Sequence, residues 1–104
     1  MKEITVSELK KLRDDNADVQ LIDIREDYEV EISEMGGEHI PMGDIMDNLD
    51  KISKTKQVII HCRTGARSAA ICNSLEREGF KNVYNLKGGI NAWADEIDET
   101  ITKY

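Results

Sequence analysis

Two short runs constrain this chain more than any other feature: Val19-Gln20-Leu21-Ile22-Asp23-Ile24 and Val58-Ile59-Ile60 are nearly continuous in apolar residues. A strand with one wet face alternates apolar and polar side chains, so these runs predict strands covered on both faces. Val83-Tyr84-Asn85-Leu86 reads as another strand. Helix-period patterns lie between them. Thr5 and Glu8 have capping-box spacing and open a helix with Val6, Leu9 and Leu12 on one face. Asp27 is placed as the cap of a short helix with Tyr28, Ile32 and Met35 inward, and Ile45, Leu49 and Ile52 predict the next. Ala66 to Glu78 puts Ile71, Cys72 and Leu75 on one face and ends at Gly79 as carboxyl-terminal cap. Ile90, Trp93, Ala94, Ile97 and Ile101 mark the last helix. Strands alternating with helices predict an α/β fold, a mainly parallel sheet with helices on both faces. With 104 residues, the chain reads as one domain spanning 1–104 with a single core of modest size.

Composition excludes several classes of function. Asp and Glu number 21 against 14 Lys and Arg, a formal net charge of −7, which argues against a nucleic-acid surface and favours a solubility role. No apolar run reaches membrane-spanning length, and MKEITVSELKK carries no secretory segment, so a cytoplasmic protein with no membrane partner is expected. Two Cys and two His without close ligand spacing make neither a disulfide framework nor a structural zinc site, and no metal is expected.

The chemistry concentrates in His61-Cys62-Arg63-Thr64-Gly65-Ala66-Arg67-Ser68, which follows a strand and opens a helix. Sites in parallel sheets gather beyond the carboxyl ends of the strands. A loop in that place can turn its backbone N–H groups inward as an anion-binding nest, and the following helix adds the positive end of its dipole. Gly65 supplies backbone freedom there. A cysteine on the floor of such a nest has its thiolate stabilised, and the thiolate is the nucleophile. Arg63 and Arg67 add positive charge. The stretch looks at first like a cysteine-dependent phosphatase signature, but the four residues between Cys62 and Arg67 are one too few. A tighter ring suits the cysteine sulfur and one further atom, a terminal persulfide sulfur, better than a phosphoryl group. Sulfur transfer by double displacement through Cys62 is the expected chemistry.

Four motifs in order make the chain resemble the rhodanese (sulfurtransferase) superfamily along almost its whole length. They are Leu21-Ile22-Asp23-Ile24-Arg25-Glu26, His39-Ile40-Pro41, the Cys62–Arg67 loop, and Leu86-Lys87-Gly88-Gly89-Ile90 with Trp93. The resemblance implies a rhodanese-like, five-stranded, mainly parallel sheet. It implies Cys62 as the catalytic, persulfide-forming residue, with Arg63, Thr64, Gly65, Ala66 and Arg67 as the loop around the transferred sulfur. It further implies a small sulfur anion such as thiosulfate as donor, a thiol, protein sulfur or cyanide as acceptor, and no cofactor beyond the covalent persulfide. Arg63 is more like the thiosulfate type than the mercaptopyruvate type, which usually has Gly after the cysteine. Related phosphatases and arsenate reductases carry the longer loop. Gly36-Gly37-Glu38-His39-Ile40-Pro41-Met42-Gly43 departs from the common Gly-His-Ile-Pro-Gly-Ala. With Asn85 to Trp93, it is similar to rhodanese domains fused to enzymes that adenylate sulfur carriers.

The other candidates have plainer readings. Asp23 and Arg25 tie the strand end to neighbouring loops; Lys87 reads either as a charge reaching the cleft or as a solvated loop lysine. Arg67 reads as an anchor or a substrate contact, whereas Arg63 contacts substrate or simply points to solvent. His61 precedes Cys62 on a strand and so points the other way, which disfavours it as a catalytic base. His39 reads as a loop-fixing hydrogen-bond partner, Cys72 as an inert core thiol and Trp93 as core. Two further functions compete with sulfur transfer: a phosphatase or arsenate reductase with a shortened loop, and a non-catalytic binding module on the same fold.

Overall fold

The computed structural model describes residues 1–104. Five strands form one parallel sheet: β1 (Lys2–Ile4), β2 (Val19–Asp23), β3 (Glu38–His39), β4 (Gln57–His61) and β5 (Val83–Leu86), in the spatial order β1-β5-β4-β2-β3. The helices are α1 (Val6–Asp14), α2 (Asp27–Ile32), α3 (Ala66–Arg77) and α4 (Gly89–Glu96). No helix is long and apolar enough to cross a membrane.

The two apolar runs behave as their pattern requires. Successive side chains on a strand point to opposite faces. Ile22, Ile24, Val58 and Ile60 therefore pack with Ile71, Cys72 and Leu75 of α3. Leu21 and Ile59 pack on the other face with Val6 and Leu9 of α1 and Ile90 and Trp93 of α4. Thr5 caps α1 through the expected reciprocal box, its side chain accepting from the Glu8 amide and its amide donating to the Glu8 carboxylate. Gly79 follows α3 at φ +97°, and the Phe80 amide closes back on the Leu75 carbonyl, the usual left-handed ending of a helix.

Three local expectations are corrected. The cap of α2 is Glu26, with Asp27 already helical, and the inward residue is Glu29 at 2% exposure, while Tyr28 and Ile32 face solvent. Met35 is buried but lies beyond the helix. A carboxylate with strong partners has displaced the apolar face that the spacing predicted. The segment around Ile45, Leu49 and Ile52 forms two 3-10 helices, Met42–Asp47 and Leu49–Lys51, rather than an α-helix. Ile45 and Ile52 still reach the core. The last helix stops at Glu96, and Ile101 packs against the core from beyond it. β1 and β3, at the two edges of the sheet, are too short to show a period in the sequence.

Because all strands run the same way, their carboxyl ends share one rim. Asp23 pairs in register with both His39 and His61, so the segments that follow these residues emerge side by side. A second contact shapes the segment after β4. Gly89 stands at φ +60°, and a Cβ there would lie 2.5 Å from the carbonyl oxygens of both Cys62 and Arg63. That approach lets the amides at the start of α4 bond the loop: Ile90 N donates to the Cys62 carbonyl at 3.0 Å and Asn91 N to the Arg63 carbonyl at 3.1 Å. Gly89→Ala is expected to destabilise the protein by about 1–3 kcal/mol, the usual cost of a strained backbone position. Gly43→Ala, where nothing lies within 4 Å, serves as a near-neutral control. Urea denaturation midpoints at unchanged slope measure both; equal midpoints would show that the close approach is not limiting.

Candidate functional site

The loop from Cys62 to Arg67 is built from its carbonyls outward. In a trans peptide the C=O and the following N–H point opposite ways. With the Cys62 and Arg63 carbonyls drawn toward α4, the next amides turn to the other side, where the cysteine sulfur lies. Gly65, at φ +105°, completes the turn as the residue before α3. Its amide donates to Cys62 Sγ at 3.2 Å, the Ser68 amide reaches the same sulfur at 3.4 Å, and Ser68 Oγ lies 3.3 Å from it. Burial pushes the Cys62 thiol up, but hydrogen bonds from the Ser68 hydroxyl and from the Ser68, Gly65 and Thr64 amides outweigh it, leaving the pKa below the ordinary thiol value. The first amides of α3 have no intrahelical acceptor. Those of Ala66 and Arg67 find none elsewhere in the protein, so two donors at the same helix start remain free.

Ser68 is held in turn. Its hydroxyl lies between Asn85 Oδ1 and the Cys62 sulfur. Its single proton bonds the amide oxygen while Cys62 is a thiol and turns to the sulfur when Cys62 is a thiolate, the stronger acceptor. Asn85 Nδ2 donates to the Gly65 carbonyl at 3.2 Å. Asn85 sits on β5, so the neighbouring strand fixes both ends of the loop turn. Cys62 itself is 1% exposed, a floor position.

Arg67 does not lie free beside the sulfur. It forms a two-pronged pair with Glu29, Nη1 to Oε1 at 2.7 Å and Nη2 to Oε2 at 2.8 Å. Glu29 also accepts from its own helix start, the Glu26 amide at 3.0 Å, and from the Tyr104 hydroxyl at 2.6 Å. Four donors saturate the carboxylate, and the Arg67 bonds above all hold its pKa down at about 2. The pair ties the start of α3 to α2.

Arg25 is buried completely and uses every donor it has. Nε and Nη2 clasp Asp23, the latter at 2.7 Å; Nη2 also reaches the Ser33 carbonyl, and Nη1 reaches the Glu29 carbonyl and the Tyr104 hydroxyl. Burial alone would raise the Asp23 carboxyl; the Arg25 hydrogen bonds and the His61 and Arg25 charges outweigh that and hold it low. The structural reading of Asp23 and Arg25 fits this geometry. His39 Nε2 contacts the Arg25 carbonyl at 2.6 Å, the expected loop-fixing role.

Arg63 is half-buried and stacks on the Tyr104 ring, its guanidinium carbon 4.6 Å from the centroid, so it does not simply project into water. Its Nε is buried without an acceptor. Lys87 is exposed and makes no side-chain hydrogen bond or ion pair, the solvated alternative. His61 packs beneath the site, 3.7 Å from Asp23 and away from the thiol, and burial lowers its pKa to about 4. Cys72 is core, with its thiol pushed up to about 12 by burial.

The sequence reading missed Glu29, Ser68, Asn85 and Tyr104. Ser68 closed the quoted loop motif and was legible as a further donor. Asn85, a polar residue within an apolar strand, was a visible signal. Glu29 was hidden in an acidic helix, and Tyr104 gave no local signal at all.

Residues 5–96 match the family profile of the rhodanese-like domain. YtwF of Bacillus subtilis is 39% identical over 97 residues, covering 92% of this chain and 93% of that protein. A sulfurtransferase of Allochromatium vinosum is 38% identical over 95 residues, covering 90% and 89%. The crystal structure of a rhodanese-like domain protein from Staphylococcus aureus superposes with a TM-score of 0.85 at 38% identity, over 93% of this chain and 95% of that one.

Two measurements test the site's electrostatics. In an ultraviolet thiolate titration, Cys62 is expected to ionise below the ordinary thiol range and Cys72 near 12; Ser68→Ala moves only the lower step, upward. A shift of the upper step instead would mean that Ser68 does not act on Cys62. Glu29 has a pKa depressed from 4.5 to about 2. Its pairing therefore stabilises the fold fully above pH 4.5 and is lost as pH falls toward 2. The stability gap between wild type and Glu29→Gln, read from urea melts, is expected to shrink over that window; a constant gap would contradict the pairing.

Proposed function

The chain belongs to the rhodanese-like domain family and has a sulfurtransferase-like role, and from that premise we propose that it carries sulfane sulfur as a persulfide on Cys62. The observation that carries this reading is the convergence of the Gly65 amide, the Ser68 amide and the Ser68 hydroxyl on one buried sulfur. Such a shell favours the thiolate, the form that attacks. The Ala66 and Arg67 amides, free of other acceptors, are the donors left for one added sulfur atom and its charge.

In the first half-reaction the Cys62 thiolate attacks the outer sulfur of the donor. With thiosulfate, the S–S bond breaks and sulfite departs with the electron pair. In the second, a thiol or cyanide acceptor attacks the terminal sulfur, and the Cys62 thiolate leaves. No metal or organic cofactor is needed for either displacement. Thr64 and Gly65 shape the cradle through backbone, Arg67 fixes its far end through Glu29, and Asp23 with Arg25 braces the rim.

Thiosulfate is expected to raise the intact mass by one sulfur atom, cyanide to reverse the gain, and Cys62→Ala to abolish it. Mass spectrometry of the intact protein reads all three. No adduct on wild type with any sulfane donor, or an adduct that persists in Cys62→Ala, overturns the proposal.

A further inference from the structure

We infer that Tyr104 is a positioning residue for reactions at Cys62: its ring seats the Arg63 guanidinium beside the loop, where that charge meets an anionic group on the molecule approaching the sulfur. The inference deepens the reading above and rests on Cys62 as the nucleophile. Tyr104 lies beyond residues 5–96, which carry the family pattern. Its segment is tied down before it reaches the loop. Ile97 and Ile101 pack against the core with Trp93, and the Thr102 carbonyl accepts from the Ser33 hydroxyl at 2.8 Å. The tyrosine then makes two separate sets of contacts. Its hydroxyl accepts from Arg25 and donates to Glu29. Its ring carries Arg63, whose guanidinium carbon is 4.6 Å from the centroid. Glu29 in turn holds Arg67, so the residue after Cys62 and the residue that ends the loop are joined through one side chain. The Glu29 bonds above all, and the Cys62 charge after them, raise the Arg67 pKa, which puts this assembly within electrostatic reach of the thiolate.

Arg63 differs from the arginines around it in what it lacks. Arg25 is paired with Asp23 and Arg67 with Glu29, whereas Arg63 has no carboxylate in contact. Its Nε is buried without an acceptor, while its Nη groups make no hydrogen bond and stay accessible. An arginine on an open loop samples many rotamers, and ordering it at each encounter costs side-chain entropy. A ring already lying against one face of the guanidinium removes much of that cost. The Nη edge is then presented in advance to an anionic group, such as a carboxylate, whose geometry the planar fork matches.

The test alkylates Cys62 with iodoacetate and with neutral iodoacetamide, with the rates and the modified site read by mass spectrometry of peptides. Both reagents undergo one displacement: the S–C bond forms as iodide leaves with the C–I electron pair. A change in thiol pKa or access moves both rates and cancels in their ratio. Tyr104→Leu is expected to lower the iodoacetate-to-iodoacetamide ratio about fivefold, the order for one unit charge a few ångströms away near solvent. The conservative Tyr104→Phe keeps the ring and is expected to hold the ratio within about twofold of wild type. Its urea midpoint falls all the same, because the hydroxyl bonds to Arg25 and Glu29 are lost. Arg63→Gln lowers the ratio as Tyr104→Leu does, and the double variant falls no further, since Tyr104 acts through Arg63. Added salt narrows the gap between wild type and Tyr104→Leu. If Tyr104→Leu does not fold, the Arg63 Nε–H resonance of wild type decides, assigned by its loss in Arg63→Gln. Seated on the ring, it is shifted upfield and slow to exchange; an unshifted, fast-exchanging signal overturns the inference. Equal falls in both alkylation rates, an additive double variant, or a Phe variant that behaves like Leu also overturns it, with Cys62 still reactive. No alkylation of Cys62 by either reagent in wild type overturns the reading of Cys62 as nucleophile instead.

Discussion

The site depends on one close backbone contact, the seating of the start of α4 against the carbonyls of Cys62 and Arg63. Ile90 and Asn91 donate to those carbonyls, and Gly89 permits the approach because any side chain would overlap them. Planar peptides then leave the loop no choice: carbonyls held outward mean amides turned inward. Trp93, buried under Arg13 one turn along α4, helps hold the helix in place. Beyond that anchored stretch, the Gly65 and Ser68 amides converge on the cysteine sulfur at the end of a central strand. The start of the loop is anchored by a helix more than twenty residues away in sequence.

Around this cradle runs a second framework made of charges. Asp23 and Arg25 close the end of β2, and Glu29 and Arg67 join α2 to α3. The Tyr104 hydroxyl bridges the two pairs, accepting from Arg25 and donating to Glu29. Buried pairs contribute little when intact but cost about 3–5 kcal/mol when one partner is removed. Their effect here is positional. They fix where the arginines lie and leave the loop with much less free positive charge than its two arginines imply. The Cys62 thiolate is therefore stabilised by amide and hydroxyl groups at hydrogen-bond distance, with the Arg67 charge already paired to Glu29.

What the sequence determined by itself were the features that arise within a few residues. Continuous apolar runs required a sheet covered on both faces, and the strand–loop–helix order put Cys62 beside a helix start. Thr5 with Glu8 and Gly79 after α3 marked helix ends through contacts three to five residues long. Four ordered motifs identified the family, since each is a local string. Even His61 could be turned away from the thiol by strand alternation alone.

Tertiary structure decided which polar groups meet. Glu29 and Arg67 are 38 residues apart, and Glu29 and Tyr104 are 75 apart. Periodicity carries no record of such partners, so α2 was given an apolar inner face where a carboxylate now sits. The 3-10 turns over 42–51 followed the same rule: their isoleucines found the core, but the backbone that delivers them was set by packing. Burial of an apolar side chain depends on its own chemistry and can be anticipated from one position. A charge in the interior depends on a second charge, and only the folded chain brings the two together.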